Sequence, residues 1–491
     1  MSGPQHLDRL GAFDAAFLLQ EGPTSYAHVG GVVVVEGPPP DIGEMRRQIE
    51  GRLDLVPRYR QRFASTPLDR ARPVWVDDTR FDIRYHVRHS ALPRPGDREQ
   101  FRTAVANAFS QPLDPTRPLW ETWLVEGLEG DEFAMIFKAH HSIVDGMAAV
   151  DLLRMLCDFS PDPAPAGPVV PWRPRATPGM LGLLAHGVRE SARATAQVAA
   201  AAVDATREPA RSWRKALDVA EGAGGLVWAL MRPPPKTPLT SALGRHRRFI
   251  EASCRLDDAK LVKNTFGGTV NDVVLSVVAG ALRTFFEHRE VSTDGLKVSA
   301  LVPVSVRTED ERGHMGNRIA ILRAILPVYI ADPVERLGVV AESMAALKDS
   351  KQIAGSEFVL QAQNYLPPMV LPITARLNAS PRLFNVMVTN IPGPQTPLYV
   401  LGRKLVEVIP IALLHPEHPL AIAITSYDGQ LNVGILGDYD AMPDIEVVAG
   451  AISHGLAELV AMCGLSVARE RRAKRAPAVV PFPADAPALD A

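Results

Sequence analysis

The chain has 491 residues, of which 46% are hydrophobic and 22% charged, which is the composition of a globular protein with two or more domains. A formal net charge of −2 and an aromatic content of 6% argue against a nucleic-acid-binding protein. The three cysteines are far apart in sequence and lack CxxC spacing, which favours a reduced, cytoplasmic protein.

The N-terminal stretch does not have the pattern of a signal peptide, because Asp8, Arg9 and Asp14 interrupt its apolar residues. Along the chain, no apolar run approaches the roughly 18–20 residues that a membrane-spanning helix needs. We therefore expect any membrane contact to be peripheral.

Residues 1–160 alternate predicted strands and helices. A valine-rich strand begins at His28 and ends before a Gly-Pro-Pro-Pro run, and 41–55 is typical of an amphipathic helix. Two further strands, Trp120–Val125 and Phe133–Ala139, are joined by a glycine-containing turn. They predict a hairpin with two histidines at its exit, and we expect Trp120 to lie in the core.

Residues 161–178 form a Pro-rich linker, and 180–230 predict long helices. These helices are interpreted as a surface connector, and the alternative is an amphipathic element that docks on a membrane. The tail, 468–491, begins with a basic cluster and is predicted to be disordered. The alternative for the basic cluster is contact with anionic lipid.

A second α/β segment spans about 245–465. It contains an apolar helix at Val270–Phe286. Its predicted strands are Val298–Val306, Arg318–Leu326, Asn385–Asn390, Leu420–Tyr427 and Gln430–Gly437.

The sequence His-His-Ser-Ile-Val-Asp-Gly at 140–146 points most directly to chemistry. A histidine titrates near neutral pH, so His141 could take the proton of an attacking hydroxyl and pass it to a leaving thiolate. Asp145 could orient the loop by pairing with an arginine or by capping backbone N–H groups, and Gly146 could allow an unusual backbone angle. A lone HxxxD arises by chance in many chains, whereas HHxxxDG at a strand end is much more restrictive.

Other chemistries fit the sequence less well. It has no GxSxG elbow and no GxxxxGK[ST] loop. Metal binding by His140 and His141 together is disfavoured, because adjacent residues on a strand point to opposite faces. The Pro-flanked pair His415 and His418 is predicted to lie in a surface loop rather than to bind metal.

The chain resembles the bacterial wax ester synthase/diacylglycerol acyltransferases, within the CoA-dependent acyltransferases that carry HHxxxDG. The resemblance covers nearly the whole chain except the tail. The supporting blocks are Leu10–Leu18, His28–Gly31, Pro118–Glu121, Asn271–Leu275, Val302–Arg307, Gly316–Asn317, Val388–Pro394 and Ser426–Gly429.

This resemblance implies a two-lobed α/β fold like chloramphenicol acetyltransferase and the condensation domains, with mixed sheets, flanking helices and a tunnel between the lobes. The predicted segments are an N-terminal lobe at 1–165, a connector at 166–240, a C-terminal lobe at 241–467 and the tail at 468–491.

The family's roles carry over by position. His141 matches the general base, Asp145 the structural acid and His140 the accompanying histidine, with Gly146 beside them. Asn271 and Asp272 match a helix that faces the site, although Asn271 could equally cap that helix. The remaining candidates are Arg307, as a partner of Asp145 or a link between lobes, and Asn317.

The implied activity is acyl-CoA-dependent transfer of a fatty acyl group to diacylglycerol or to a long-chain alcohol. Acyl-CoA is a co-substrate, and we expect no cofactor, no metal and no nucleic-acid partner. We expect the protein to be cytoplasmic, with peripheral contact to the inner face of the membrane or to lipid droplets. The alternatives are a condensation-like enzyme that uses a carrier-protein thioester and a non-catalytic lipid-binding relative.

Overall fold

The computed structural model describes residues 7–64, 72–143, 155–162, 172–185, 187–189, 234–305, 319–349 and 380–475. Its α-helices are α1 (Ala12–Gln20), α2 (Ile42–Arg52), α3 (Ile83–His86), α4 (Arg98–Ser110), α5 (Leu256–Phe266), α6 (Val270–His288), α7 (Pro333–Asp349) and α8 (Ile445–Arg475). Short 3-10 turns are Leu53–Leu55, Pro57–Arg60 and His141–Ile143.

The strands fall into two large sheets and one small sheet. They are β1 (His28–Glu36), β2 (Gln61–Ala64), β3 (Val74–Asp77), β4 (Val87–Ala91), β5 (Trp120–Glu126), β6 (Glu132–His140), β7 (Arg247–Arg255), β8 (Val298–Ser305), β9 (Ile319–Leu326), β10 (Val386–Pro392), β11 (Tyr399–Val400), β12 (Arg403–Ile411), β13 (Leu420–Tyr427) and β14 (Gln430–Asp438). The predicted strands are confirmed, with ends that shift by one or two residues.

The first sheet has the order β11-β12-β1-β6-β5-β4. The predicted hairpin is confirmed, because β5 and β6 pair antiparallel with Trp120 opposite Ala139. Strand β1 lies between β6 and β12, and an added Cβ at Gly30 would lie 1.9 Å from the Phe137 carbonyl oxygen. A residue without a side chain is therefore needed at this position, where β1 lies against β6.

The second sheet has the order β7-β14-β13-β10-β8-β9. Strand β10 runs parallel to both β8 and β13, whereas the other neighbours are antiparallel. Helices α5, α6, α7 and α8 pack with this sheet around one apolar core. Two mixed sheets with flanking helices confirm the predicted two-lobed α/β fold.

Helix α6 confirms the predicted apolar helix and begins with a capping box. The Thr269 side chain accepts from the Asp272 N–H, and the Asp272 carboxylate accepts from the Thr269 N–H at 2.8 Å. The interpretation of Asn271 as the cap is therefore wrong, since Thr269 lies just before the first turn and takes that role. A bend of 100° separates α5 from α6.

Helix α8 corrects two expectations. Its first part, Ile445–Leu465, is 21 residues long and apolar enough to cross a membrane by length and composition. One face of it, a third of this stretch, lies in the core, where Val448 and Leu459 are fully buried. The helix also continues to Arg475, although disorder was predicted from 468, because Ala, Arg, Glu and Lys are good helix formers.

The two sheets are joined by an exchange of strands. Strands β11 and β12 belong in sequence to the second half of the chain, but they pair in the first sheet beside β1. Where the sheets meet, an added Cβ at Gly434 of β14 would lie 1.9 Å from the Pro410 carbonyl oxygen of β12. The two backbones therefore touch directly at this point.

Apolar side chains and ion pairs fill the rest of the junction. Side chains from β1, β6 and α4 form one buried cluster with side chains from β7, β13 and β14. At its edge, Arg98 and Arg102 of α4 bind Glu251 of β7 at 2.7 and 3.0 Å. Glu251 has a side chain only 9% exposed, so its two cationic partners compensate its burial.

Candidate active site

The two adjacent histidines lie where a strand ends and a tight turn begins. Strand β6 ends at His140, and the turn His141–Ile143 follows directly. The His140 N–H donates to the Leu119 carbonyl at 2.9 Å, and the His141 N–H donates to the Ala27 carbonyl at 2.8 Å. The backbones of both histidines are therefore held by neighbouring segments of the first lobe.

His140 is buried, with 1% of its surface exposed, and its ring holds the turn. The Ser142 N–H donates to His140 Nδ1 at 3.1 Å, so Nδ1 is an acceptor and the proton is assigned to Nε2. That Nε2 lies 3.2 Å from Glu21 Oε1. The angle is too poor for a hydrogen bond, so this is an electrostatic contact.

Glu21 connects the two histidines. Its Oε1 also accepts the Ala27 N–H at 3.1 Å, and the carbonyl of Ala27 is the acceptor for His141. One carboxylate therefore touches His140 and fixes the residue that holds His141. Local patterns could not predict this role, because Glu21 lies more than a hundred positions before the motif.

His141 remains half-buried, and its imidazole stacks on Phe17 of α1. The ring centroids are 3.9 Å apart and the planes are inclined by 19°. Burial, and then the charge of His140, lowers the pKa of His141 from 6.5 to about 4. The imidazole is therefore neutral at physiological pH, which is the form that accepts a proton.

The surroundings of His141 come from both halves of the chain. Phe17 and Ala27 pack with Leu413, which follows β12 in the segment that leads to β13. His415 lies two residues further along and is buried, with 7% exposed. The same segment buries His418 at 1%, so the prediction of a surface loop for this pair is wrong.

Both loop histidines are buried by aromatic packing. Phe384 stacks on His418 with centroids 4.0 Å apart and meets His415 edge-on at 5.4 Å. Burial is the main cause that lowers the pKa of His415 to about 3, and His418 and His141 lower it further. Leu413, two residues before His415, packs with Phe17, whose ring stacks on His141, so this segment borders the site of His141.

Asn271 and Asp272 both make contacts that support the fold. The carboxylate of Asp272 belongs to the capping box of α6, and its Oδ1 is buried without a hydrogen bond among the residues described. Asn271 Oδ1 accepts from Asn390 Nδ2 of β10 at 3.1 Å, which links α6 to the second sheet. Their role in facing the substrate stays a prediction.

Four predicted site residues, Asp145, Gly146, Arg307 and Asn317, lie outside the described residues, and their roles stay predictions. Trp120 is fully buried and donates from Nε1 to the Tyr59 carbonyl at 2.7 Å, which confirms its place in the core. In the described ranges, no three His, Cys, Asp or Glu side chains are grouped so that they could hold a metal ion.

Comparisons with known proteins identify the family. Residues 10–274 match the wax ester synthase/diacylglycerol acyltransferase catalytic domain, and 315–460 match the C-terminal domain of the same family. A Mycobacterium tuberculosis protein named as a diacylglycerol O-acyltransferase is 32% identical over 92% of this chain and 90% of its own.

Solved structures agree with this assignment. The wax ester synthase/diacylglycerol acyltransferase of Marinobacter aquaeolei VT8 is 25% identical, with a TM-score of 0.65 over 93% of this chain and 100% of that one. The first condensation domain of the calcium-dependent antibiotic synthetase, at 19% identity and a TM-score of 0.58, covers 93% of this chain and 97% of its own and shares the fold. The chain therefore belongs to the wax ester synthase/diacylglycerol acyltransferase family and is an acyl-CoA-dependent acyltransferase.

Proposed function

We propose that the protein transfers a long-chain acyl group from CoA to the free hydroxyl of diacylglycerol, with His141 as the general base. His141 Nε2 or Nδ1 takes the hydroxyl proton while the oxygen attacks the thioester carbonyl carbon. The tetrahedral intermediate then collapses, the C–S bond breaks, and the proton passes from the imidazolium to the CoA thiolate. The products are triacylglycerol and free CoA.

The observation that carries this proposal is the neutral imidazole of His141 at the end of β6. Stacking on Phe17 and the N–H bond to Ala27 fix its position, and burial keeps it unprotonated. A fixed and neutral imidazole beside a junction of two lobes suits proton transfer in an acyl transfer reaction. General-base help of this kind contributes roughly 10²–10⁴ in rate.

The acceptor class follows from the relatives. The Mycobacterium tuberculosis relative is named for diacylglycerol, which supports diacylglycerol as the acceptor here. The Marinobacter structure is named also as a wax ester synthase, which supports a long-chain alcohol as a second candidate. The condensation-domain likeness supports the fold alone, so a carrier-protein thioester has no observation in its favour.

We further propose that Asp145 anchors the loop behind His141, with Arg307 as its partner and Gly146 as the turn residue, and that Asn317 lies near the substrate. Asp145→Asn should lower activity more than it lowers stability. A fully active and normally stable Asn variant would contradict the anchoring role.

The proposed location is the cytoplasm, with peripheral contact to the inner face of the membrane or to lipid droplets. All three cysteines are free, which supports a reducing compartment. Fractionation of cells that express the tagged chain tests this proposal, and recovery from an exported fraction would contradict it.

The activity test uses purified protein with palmitoyl-CoA, and it offers dioleoylglycerol and hexadecanol in separate reactions. Ester products are identified by mass, and released CoA is followed with a thiol reagent. His141→Ala should lower turnover by roughly 10²–10⁴ with unchanged circular dichroism. His89→Ala, which removes a surface histidine 40% exposed, is the matched control. Near-normal turnover in folded His141→Ala would refute the mechanism.

A further inference from the structure

A second imidazole, that of His415, comes from the other half of the chain and lies two residues after Leu413, which packs with the ring that stacks on His141. It belongs to the segment between β12 and β13, and only 7% of the residue is exposed. The proposed reaction does not use it. A buried polar ring next to a reacting centre calls for a physical reason.

The packing shows how this segment reaches the site. Leu413 packs with Phe17 and Ala27. The ring of Phe17 stacks on His141, and the carbonyl of Ala27 accepts the His141 N–H. Phe384 fixes the His415 ring from another side, with the rings edge-on at 5.4 Å. Leu413 therefore brings this segment, with His415 two residues further on, to the border of the His141 site.

His415 and His418 differ in their hydrogen bonds. Both ring nitrogens of His418 approach carbonyl oxygens, Nδ1 to Pro416 at 2.7 Å and Nε2 to Phe384 at 3.0 Å. Nδ1 of His415, in contrast, is buried and has no hydrogen-bond partner among the described residues. An unpaired buried nitrogen is costly, so this atom calls for a partner such as a water or a ligand.

The chemistry of His415 limits what it can bind. Burial lowers its pKa to about 3, so the ring is neutral at physiological pH. A neutral imidazole offers one donor and one acceptor, and it suits an uncharged oxygen better than a phosphate or a carboxylate. Diacylglycerol carries ester oxygens a few bonds from its free hydroxyl, whereas a long-chain alcohol has no second oxygen.

We propose that Nδ1 of His415 binds an ester oxygen of the diacylglycerol acceptor by a hydrogen bond while His141 takes the proton of its hydroxyl. His415 thereby sets a preference for diacylglycerol over long-chain alcohols. This inference rests on the proposed function and names the group that selects its acceptor. A site that hydrogen-bonds one substrate discriminates against an analogue without that group, because the site's polar atom then stays unpaired.

The test compares kcat/KM for dioleoylglycerol and for hexadecanol, with palmitoyl-CoA held constant. His415→Leu should lower the ratio of the two values by about tenfold, mainly through the diacylglycerol term. His415→Asn, which places an amide near the position of Nδ1, should keep the ratio within about threefold of the unmodified protein. His418→Leu is the matched control, because its nitrogens are already occupied, and it should change both values by the same factor.

Thermal melting identifies the folded variants. If His415→Leu does not fold, the pair His415→Asn and His415→Gln replaces it, since only Asn places its amide at the Nδ1 position. A ratio within twofold of the original in folded His415→Leu, or equal ratios for Asn and Gln, overturns the inference. Esterification of hexadecanol alone by the unmodified protein also overturns it but leaves acyl transfer intact. No ester from either acceptor overturns the proposed function and this inference together.

Discussion

Removal of the ring that stacks on His141 should move the acid limit of activity. Phe17 covers one face of the imidazole at 3.9 Å, and burial lowers the pKa of His141 from 6.5 to about 4. This lowering of the pKa means that protonation of His141 costs about 3 kcal/mol more in the folded protein than in water. Phe17→Ala admits water to one of the two faces, so we expect the pKa to rise by roughly one unit.

The sign of the effect follows from the role of the base. Only the neutral imidazole accepts a proton, so kcat/KM falls as the pH drops through the pKa of His141. For the unmodified protein the half-maximal value should lie near pH 4, and for Phe17→Ala near pH 5. The assay measures CoA release between pH 3.5 and 8, with re-assay at pH 7 to separate irreversible loss.

A matched control is available elsewhere in the first lobe. Phe81 stacks on His86, another buried histidine with a pKa of about 4, with ring centroids 5.0 Å apart. Phe81→Ala should leave the acid limit of activity where it is. A half-maximal pH near 6.5 in the unmodified protein would refute the reasoning, as would an acid limit that Phe17→Ala leaves unchanged.

Four further predictions concern stability and positioning. In a denaturant titration, Gly434→Ala should lower the free energy of unfolding by about 1–3 kcal/mol, because the new Cβ would lie 1.9 Å from the Pro410 oxygen. Gly450→Ala is the control: its Cβ would have no atom within 4 Å, and it should raise the free energy of unfolding by up to about 1 kcal/mol. Glu21→Ala should lower kcat about tenfold with little change in KM, because the oxygen that accepts the Ala27 N–H is lost. Glu21→Gln keeps an accepting oxygen and should keep much of the activity. Equal activities for the two variants would count against this role. Asp272→Ala and Thr269→Ala should each cost about 1 kcal/mol of stability through the capping box, and a large loss of activity for Asp272→Ala alone would favour its role in the site. The pKa values of His86 and His141 in the folded protein lie below 6.5, so as the pH falls from 6.5 towards 4 these residues are protonated in the unfolded chain before they are protonated in the folded one. The free energy of unfolding should therefore fall by about 2 kcal/mol for each histidine at pH 5. A melting temperature that stays constant from pH 7 to 5 would contradict this.

Local patterns in the sequence predicted most of the regular elements. Runs of apolar residues marked β8, β10, β13 and β14, and the apolar helix at Val270–Phe286 appears as α6 with two more residues. Alternation and apolar runs depend on neighbours in the chain, so they can be read without the fold. The capping residue was missed because Thr269 and Asn271 are both good caps, and only the backbone shows which one precedes the first turn.

The site was predicted only in part, because most of its surroundings come from distant segments. The motif marked His140 and His141, which are adjacent in sequence. Glu21, Phe17 and Leu413 reach them through the packing of α1 and of the segment after β12. A Pro-flanked histidine is typical of an exposed loop, and its burial beneath Phe384 depends on a contact that sequence alone does not reveal.

The exchange of strands between the halves has a consequence during synthesis. Strand β1 has both of its partners only when β12, which pairs with it through Gly30–Val35, has left the ribosome. At typical elongation rates of about 5–20 residues per second, this delay is roughly 20 to 70 seconds. For that time a valine-rich edge is open to pairing with other chains. Slow or crowded expression should therefore aggregate this protein through β1, and a chaperone that shields nascent strands should raise its soluble yield.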